Sequence, residues 1–153
     1  MKTALLIMLV VLAGLYGSKR GLGPELLSNG TFIGDDGFAM DSWTVEDVGE
    51  IEWISGDAFI WDDSLLSASV TLTQGKRYKV TYRIIGHDGV DDGTIRAALG
   101  GTDGTERSSN GTYTDTLTAG AGSSLIFTLT SPDDGFSIDY VSVKKSSGKK
   151  NIT

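Results

Sequence analysis

The chain has 153 residues, enough for one domain with a core of its own and hardly enough for two. It has no cysteine, which excludes a disulfide framework, a thiolate metal site and a cysteine nucleophile, and its single histidine, His87, is the one residue on which triad chemistry would depend. All 20 acids lie between Glu25 and Asp139 with only six bases among them, so this body carries about −14 and repels phosphate backbones, which argues against nucleic-acid binding.

The other seven bases, Lys2, Lys19, Arg20, Lys144, Lys145, Lys149 and Lys150, sit towards the two ends, where they solubilise the chain or meet an anionic surface or an acidic partner. Glycine, at 21 residues, is abundant and proline, at 2, is scarce. Together with many Thr, Ser, Val and Ile, this mixture predicts short strands joined by tight turns.

In chain order, Lys2 precedes an apolar run from Ala4 to Leu12 that continues through Tyr16. That is the length of a signal-peptide apolar region and short of the ~20 residues of a membrane span. Three readings stand: a cleaved signal with a poor site at Leu15 and Gly17, a retained membrane anchor with contact through residues 4–16, or a tether to other subunits of an assembly. The Gly-rich hinge "GSKRGLGP" (17–24) follows, so residues 1–23 are set apart from a domain over 24–145 and a polar basic tail over 146–153.

Within the domain, "ELLSNGTF" reads as a first, edge-closing strand, and "SWTVED" and "EIEWIS" (42–55) as a pair around Val48 and Gly49. "AFIW" (58–61) is short, "LLSASVTLT" (65–73) alternates, and Gln74-Gly75 makes a turn. "RYKVTYRIIG" (77–86) puts Tyr78, Val80, Tyr82 and Ile84 on one face and Arg77, Lys79, Thr81 and Arg83 on the other, the period of a half-buried strand. An acidic loop (87–93), "TIRAALGG" (94–101), a polar loop, "TYTDTLTA" (112–119), "SSLIFTLTS" (123–131), a "PDDG" turn and "FSIDYVSVKK" (136–145) complete the series. Nine or ten short strands without an amphipathic helix predict an all-β, two-sheet antiparallel sandwich, with a jelly roll as its natural form.

Catalytic groups are sparse. His87 lies in a Gly/Asp loop, as a solvated imidazole would, and the pairs Asp35-Asp36, Asp62-Asp63, Asp91-Asp92 and Asp133-Asp134 lie in Gly-rich turns, as turn formers do. A glycosidase needs two carboxyls flanking its bond, and these pairs give no sign of that arrangement. The chain reads as non-enzymatic. Aromatic rings serve sugars as platforms, with Asp, Asn and Arg taking the hydroxyls at the rim. Trp53 and Trp61 sit among carboxylates in "EIEWISGDAFIWDD" and read either as such a platform or as core; Tyr113 and Tyr82 stand behind them.

The segments "ELLSNGTF", "DSWTV", "SVTLTQGKRYKVTYRI", "GTIRAALGG", "GTYTDTLTAGAGSSLIFTL" and "FSIDYVSVKK", in that order over about residues 24–145, resemble the carbohydrate-binding-module-like jelly roll of families 4, 9 and 22. The same module is similar to domains on tailed-phage virion proteins. The resemblance implies a galactose-binding-like sandwich with Trp43 in the core. It also implies a structural calcium ion joining the first loop to the last strand, with Asp139, Asp35 or Asp36 and carbonyls near Thr31 as its oxygens; the alternative is that Asp139 only accepts hydrogen bonds. Two positions depart from the family: Ala68 stands where a Gln helps line the sugar cleft, and Tyr140 where Asp or Asn is common.

The resulting expectation is a surface-displayed module with Trp53, Trp61 and Tyr113 as its glycan-binding residues. The setting that the resemblance implies is a phage virion surface, as a capsid decoration, head fibre or tail-associated adhesin. There its partners are other virion or envelope subunits and host surface glycans. The alternatives are a secreted or membrane-anchored bacterial carbohydrate-binding protein and a purely structural virion or envelope protein.

Overall fold

The computed structural model describes residues 22–28, 30–32, 42–46, 51–54, 56–60, 65–86, 93–130 and 136–147. These residues form ten strands: β1 (Trp43–Glu46), β2 (Ile51–Ile54), β3 (Asp57–Ile60), β4 (Leu65–Ser69), β5 (Arg77–Ile85), β6 (Thr94–Leu99), β7 (Thr102–Asp103), β8 (Gly111–Thr118), β9 (Ser124–Thr130) and β10 (Phe136–Lys145). They pair in two five-stranded antiparallel sheets, ordered β1-β4-β9-β6-β7 and β2-β3-β10-β5-β8. No helix of the described residues is long and apolar enough to cross a membrane.

The strand alternation places the core. On β5 the side chains of Tyr78, Val80, Tyr82 and Ile84 are buried while Arg77 and Arg83 are exposed, as the period of two requires. β6 and β9 answer from the other sheet with Ile95, Ala97 and Leu99 and with Leu125, Phe127 and Leu129. Aromatic rings bridge the sheets: Tyr82 meets Phe127 edge-on at 5.2 Å, and Trp43 lies 6.4 Å from Phe127 and 5.0 Å from Phe32. Trp43 is thus a core residue. Phe32 reaches it from a left-handed backbone (φ 49°), a conformation uncommon outside glycine and asparagine.

Three sequence expectations change. Residues 42–55 do not form a hairpin, because β1 pairs with β4 in one sheet and β2 with β3 in the other; the chain changes sheets between Glu46 and Ile51. The strand expected over 65–73 ends at Ser69, where Val70 already bonds to Ser123 outside the ladder. A further short strand, β7, lies in the stretch expected to be a polar loop.

"ELLSNGTF" does run along the edge of β10, but with one ladder bridge, Glu25 to Lys144, in place of a full strand. Gly23 and Leu26 donate to the carbonyls of Lys145 and Val143 (both 2.9 Å), and Val141 donates to Gly30 (2.6 Å). The rest of the edge is closed by the Glu25 carboxylate, which accepts from the backbone N–H of Val143 (2.7 Å) and from the Ser142 hydroxyl. Gly30 is required there, since a Cβ would collide with the Val141 carbonyl.

A register shift between Ile138 and Tyr140 inserts Asp139 into β10 as a bulge opposite the end of β5. Strand directions also sort the connections. Segments 47–50, 61–64, 86–93, 104–110 and 131–135 join strands at the end of the sandwich where β10 begins. Segments 70–76, 100–101 and 119–123 join them at the end where β10 finishes, and there Gly23 enters and Ser146 leaves.

Candidate functional site

The outer faces of the two sheets differ. On the β1-β4-β9-β6-β7 sheet the pleat turns outward Thr44, Ser67, Ile126, Ala98 and Asp103 in one register row and Leu65, Thr128 and Arg96 in the next. Of these, Ser67 is buried and Leu65, Ala98, Ile126, Thr128 and Arg96 are half-buried, so the middle of the face is a partly sheltered patch, apolar at Leu65, Ala98 and Ile126 and hydroxyl-bearing at Ser67 and Thr128. On the other sheet the outward residues Arg77, Arg83, Thr112, Thr114, Thr116, Thr118 and Tyr140 are exposed, Lys79, Thr81, Ile85 and Lys144 are half-buried, and Ser137 and Ser142 are buried.

Arg96 stands beside this patch on β6, opposite Thr128. Its Nη1 is 3.3 Å from Asp103 Oδ2 and 3.9 Å from Glu106 Oε1, carboxylates that are more than half exposed. Its Nε is buried and has no hydrogen-bond partner in the structure. A planar guanidinium whose side chain is 35% exposed, beside two exposed acceptors and a patch of apolar and hydroxyl side chains, is chemistry suited to a sugar's hydroxyls and apolar face.

A second polar cluster closes the seam between the sheets. Asp115 projects inward from β8 and is 6% exposed. It takes Arg107 Nη2 at 2.8 Å and lies 3.4 Å from both the Tyr82 hydroxyl and the Thr105 N–H. Burial, with the charge of Asp115, pushes the Tyr82 phenol up to about 12, although its contact with Arg107 acts in the opposite direction. Burial opposes the Arg107 charge, but its hydrogen bond to Tyr82 and the nearby Asp115 carboxylate outweigh this and raise its pKa. Gly104 packs on the cluster so closely that a Cβ would lie 2.7 Å from Asp115 Oδ2.

The residues expected from sequence fall as follows. Tyr113 belongs to the seam: Arg107 lies over its ring, 4.7 Å from the centroid, Tyr82 is 5.9 Å away, and its hydroxyl donates to the Ser109 carbonyl at 2.8 Å. Trp53 stands opposite Ala58 in the β2–β3 register, but its side chain, like Trp61, His87, Asp35 and Asp36, lies outside the described residues. Asp139 is met by Arg83 through both Nε (2.6 Å) and Nη2, and Thr31 lies in an exposed turn. Among the described residues no group of three or more His, Asp and Glu could hold a metal ion. Ala68 is buried in the core, so nothing from that position reaches the outer face.

Sequence reasoning passed over Arg96, Arg107 and Asp115. The last had a signal: Asp115 shares the inward parity of Tyr113 and Leu117, and an inward carboxylate must find a partner.

No protein-family model matches the chain, and no curated protein matches it. Solved structures do. The CBM22-1 xylan-binding domain of Xyn10C from Paenibacillus barcinonensis matches with a TM-score of 0.54 and 13% identity, covering 84% of this chain and 98% of that one. A carbohydrate-binding module of family 4 matches at 0.50 and 15%, covering 78% and 99%, and a mutant of a family 29 module at 0.51 and 10%, covering 85% and 95%. The fold is that of the carbohydrate-binding-module jelly rolls, over nearly their whole length.

Proposed function

We propose that this chain is a non-enzymatic carbohydrate-binding module that takes its glycan on the outer face of the β1-β4-β9-β6-β7 sheet. The observation that carries the reading is Arg96: a half-buried guanidinium flanked by the exposed carboxylates of Asp103 and Glu106, beside a patch of Leu65, Ala98, Ile126, Ser67 and Thr128. Its fold, shared with modules that include a xylan-binding domain, supports the same reading. Xylan oligomers are therefore the first ligands to try. Display on a larger body, a virion surface or a cell envelope, through the apolar N-terminal segment completes the proposal, and a calcium ion at the first loop would stiffen the module.

The test is a glycan array followed by titration calorimetry on the best ligand with wild type and Arg96→Ala. A loss of tenfold or more, the scale of one or two charge-assisted hydrogen bonds, is expected. Unchanged affinity in Arg96→Ala would move the site off this face.

A further inference from the structure

The charges of the sandwich are sorted along its strands. The connections 47–50, 61–64, 86–93 and 131–135, at the end where β10 begins, carry Asp47, Glu50, Asp62, Asp63, Asp88, Asp91, Asp92, Asp133 and Asp134 and no Lys or Arg. A fifth connection there, 104–110, adds Glu106 and Arg107, and the latter is held by Asp115. The opposite end is basic at its β5–β10 corner. Lys76, Arg77 and Lys145 are exposed there, and Lys79 stands directly opposite Lys144 in the ladder.

Like charges facing across a ladder cost stability. Glu25 relieves Lys144 at 3.9 Å, but among the described residues no carboxylate lies within ion-pair distance of Arg77, Lys79 or Lys145. The phenol of Tyr78, between them, reports the same field. Burial pushes its pKa up, yet the Thr73 N–H bond at 2.8 Å and the charges of Lys145 and Lys76 bring it below the ordinary value. Asp35, Asp36 and Asp41, outside the described residues, precede β1, which starts at this same end but on the far edge of the other sheet, so the basic surface is confined to the β5–β10 corner.

The first and last described stretches of the chain both meet the sandwich at this corner. Gly23 donates to the Lys145 carbonyl (2.9 Å), so Lys19, Arg20 and the apolar run 4–16 are joined to the domain there. Ser146 donates to the Arg77 carbonyl (2.8 Å), so Lys149 and Lys150 leave from the same place. Leu22, beside Gly23, is a large apolar side chain that is 44% exposed.

We propose that this corner of the sandwich docks on an anionic lipid bilayer, so that the module stands on the membrane with its acidic end outward. An apolar run short of the length of a span, joined to a surface of Lys and Arg, is the two-signal pattern of stable membrane attachment. Each base near an anionic surface strengthens partition about fivefold. The acidic end, repelled by the same surface, sets the orientation.

The experiment is flotation of the full chain with phosphatidylcholine vesicles, with and without phosphatidylglycerol, at low and high salt. Wild type is compared with the triple variant Arg77→Ala, Lys79→Ala, Lys145→Ala and with Lys79→Arg as a charge-preserving control. On vesicles containing phosphatidylglycerol the triple variant should bind roughly 100-fold more weakly, Lys79→Arg should bind as wild type, and high salt should erase the difference. Equal binding of wild type and triple variant, or binding that ignores phosphatidylglycerol, overturns the proposal. So would charge-dependent capture by an acidic polysaccharide, or salt-sensitive self-association, with no response to the vesicles. A circular-dichroism melt of each variant confirms that the sandwich is intact, and the vesicle arms contain no sugar, so the binding they read is separate from that of the glycan site.

Discussion

Two arginine–carboxylate assemblies in this molecule are built from the same parts and do opposite things. Arg107 and Arg96 are both half-buried, both have a buried Nε without a partner, and both reach an aspartate on a neighbouring strand or loop. They differ in the carboxylate: the Asp115 side chain is 6% exposed and also faces Tyr82 and Thr105, whereas that of Asp103 is 59% exposed. A desolvated carboxylate cannot exchange its partners for water or ligand without a large cost, so the Arg107 assembly is a lock. The Arg96 assembly gives up little when a ligand hydroxyl replaces a solvent molecule, so it is free to bind.

The strongest way to break this contrast is Asp115→Ala, which strands Arg107 in the seam and frees the loop that Gly104 and Thr105 pin to it. A loss of about 3–5 kcal/mol in denaturant unfolding is expected. Loss below 1 kcal/mol would make the two assemblies alike.

The lock also has a pH signature. Folded Tyr82 keeps its proton up to about 12, while the unfolded chain gives it up near 10.0. Stability from this group is therefore complete below pH 10 and declines as pH rises towards 12, by about 2 kcal/mol at the upper limit. Tyr78, whose pKa is lowered, works in the opposite sense. Tyr82→Phe should flatten the alkaline decline in denaturation midpoints relative to wild type. The Glu25 clamp on β10 comes next: Glu25→Ala leaves the Val143 N–H and the Ser142 hydroxyl without their acceptor and should cost about 1–2 kcal/mol.

Much of this architecture can be read from the residues. The faces of β5 follow from strict alternation in "RYKVTYRI", and Trp43 falls in the core where the resemblance puts it. Alternation is local, so one strand suffices to show it. Partner choice is not local: nothing in "SWTVEDVGEIEW" says that its halves join different sheets, because β1 is claimed by β4 and β2 by β3 through contacts elsewhere in the chain. The candidate binding face was hidden for the same reason. It is assembled from Thr44, Ser67, Ile126 and Ala98, one residue from each of four strands, and none of them looks functional in its own segment. Sequence attention went to Trp and Asp-rich turns, whereas the described polar rim is made by an arginine in the middle of "TIRAAL".

The smallest effect draws the sharpest line between the two assemblies. A double-mutant cycle on Arg96 and Asp103 should give a coupling of roughly 0.2–1 kcal/mol that shrinks with added salt, as expected of an ion pair whose acid is open to water. The same cycle on Arg107 and Asp115 should give a larger coupling that salt barely moves, because the screening ions cannot reach a carboxylate sealed under Gly104. If saturating glycan then raises the melting temperature of wild type but not of Arg96→Ala, while Asp115→Asn still responds to the ligand, binding belongs to the exposed pair alone. If Asp115→Asn loses the response as well, the seam and the Arg96 face act as one unit, and the contrast drawn from burial fails.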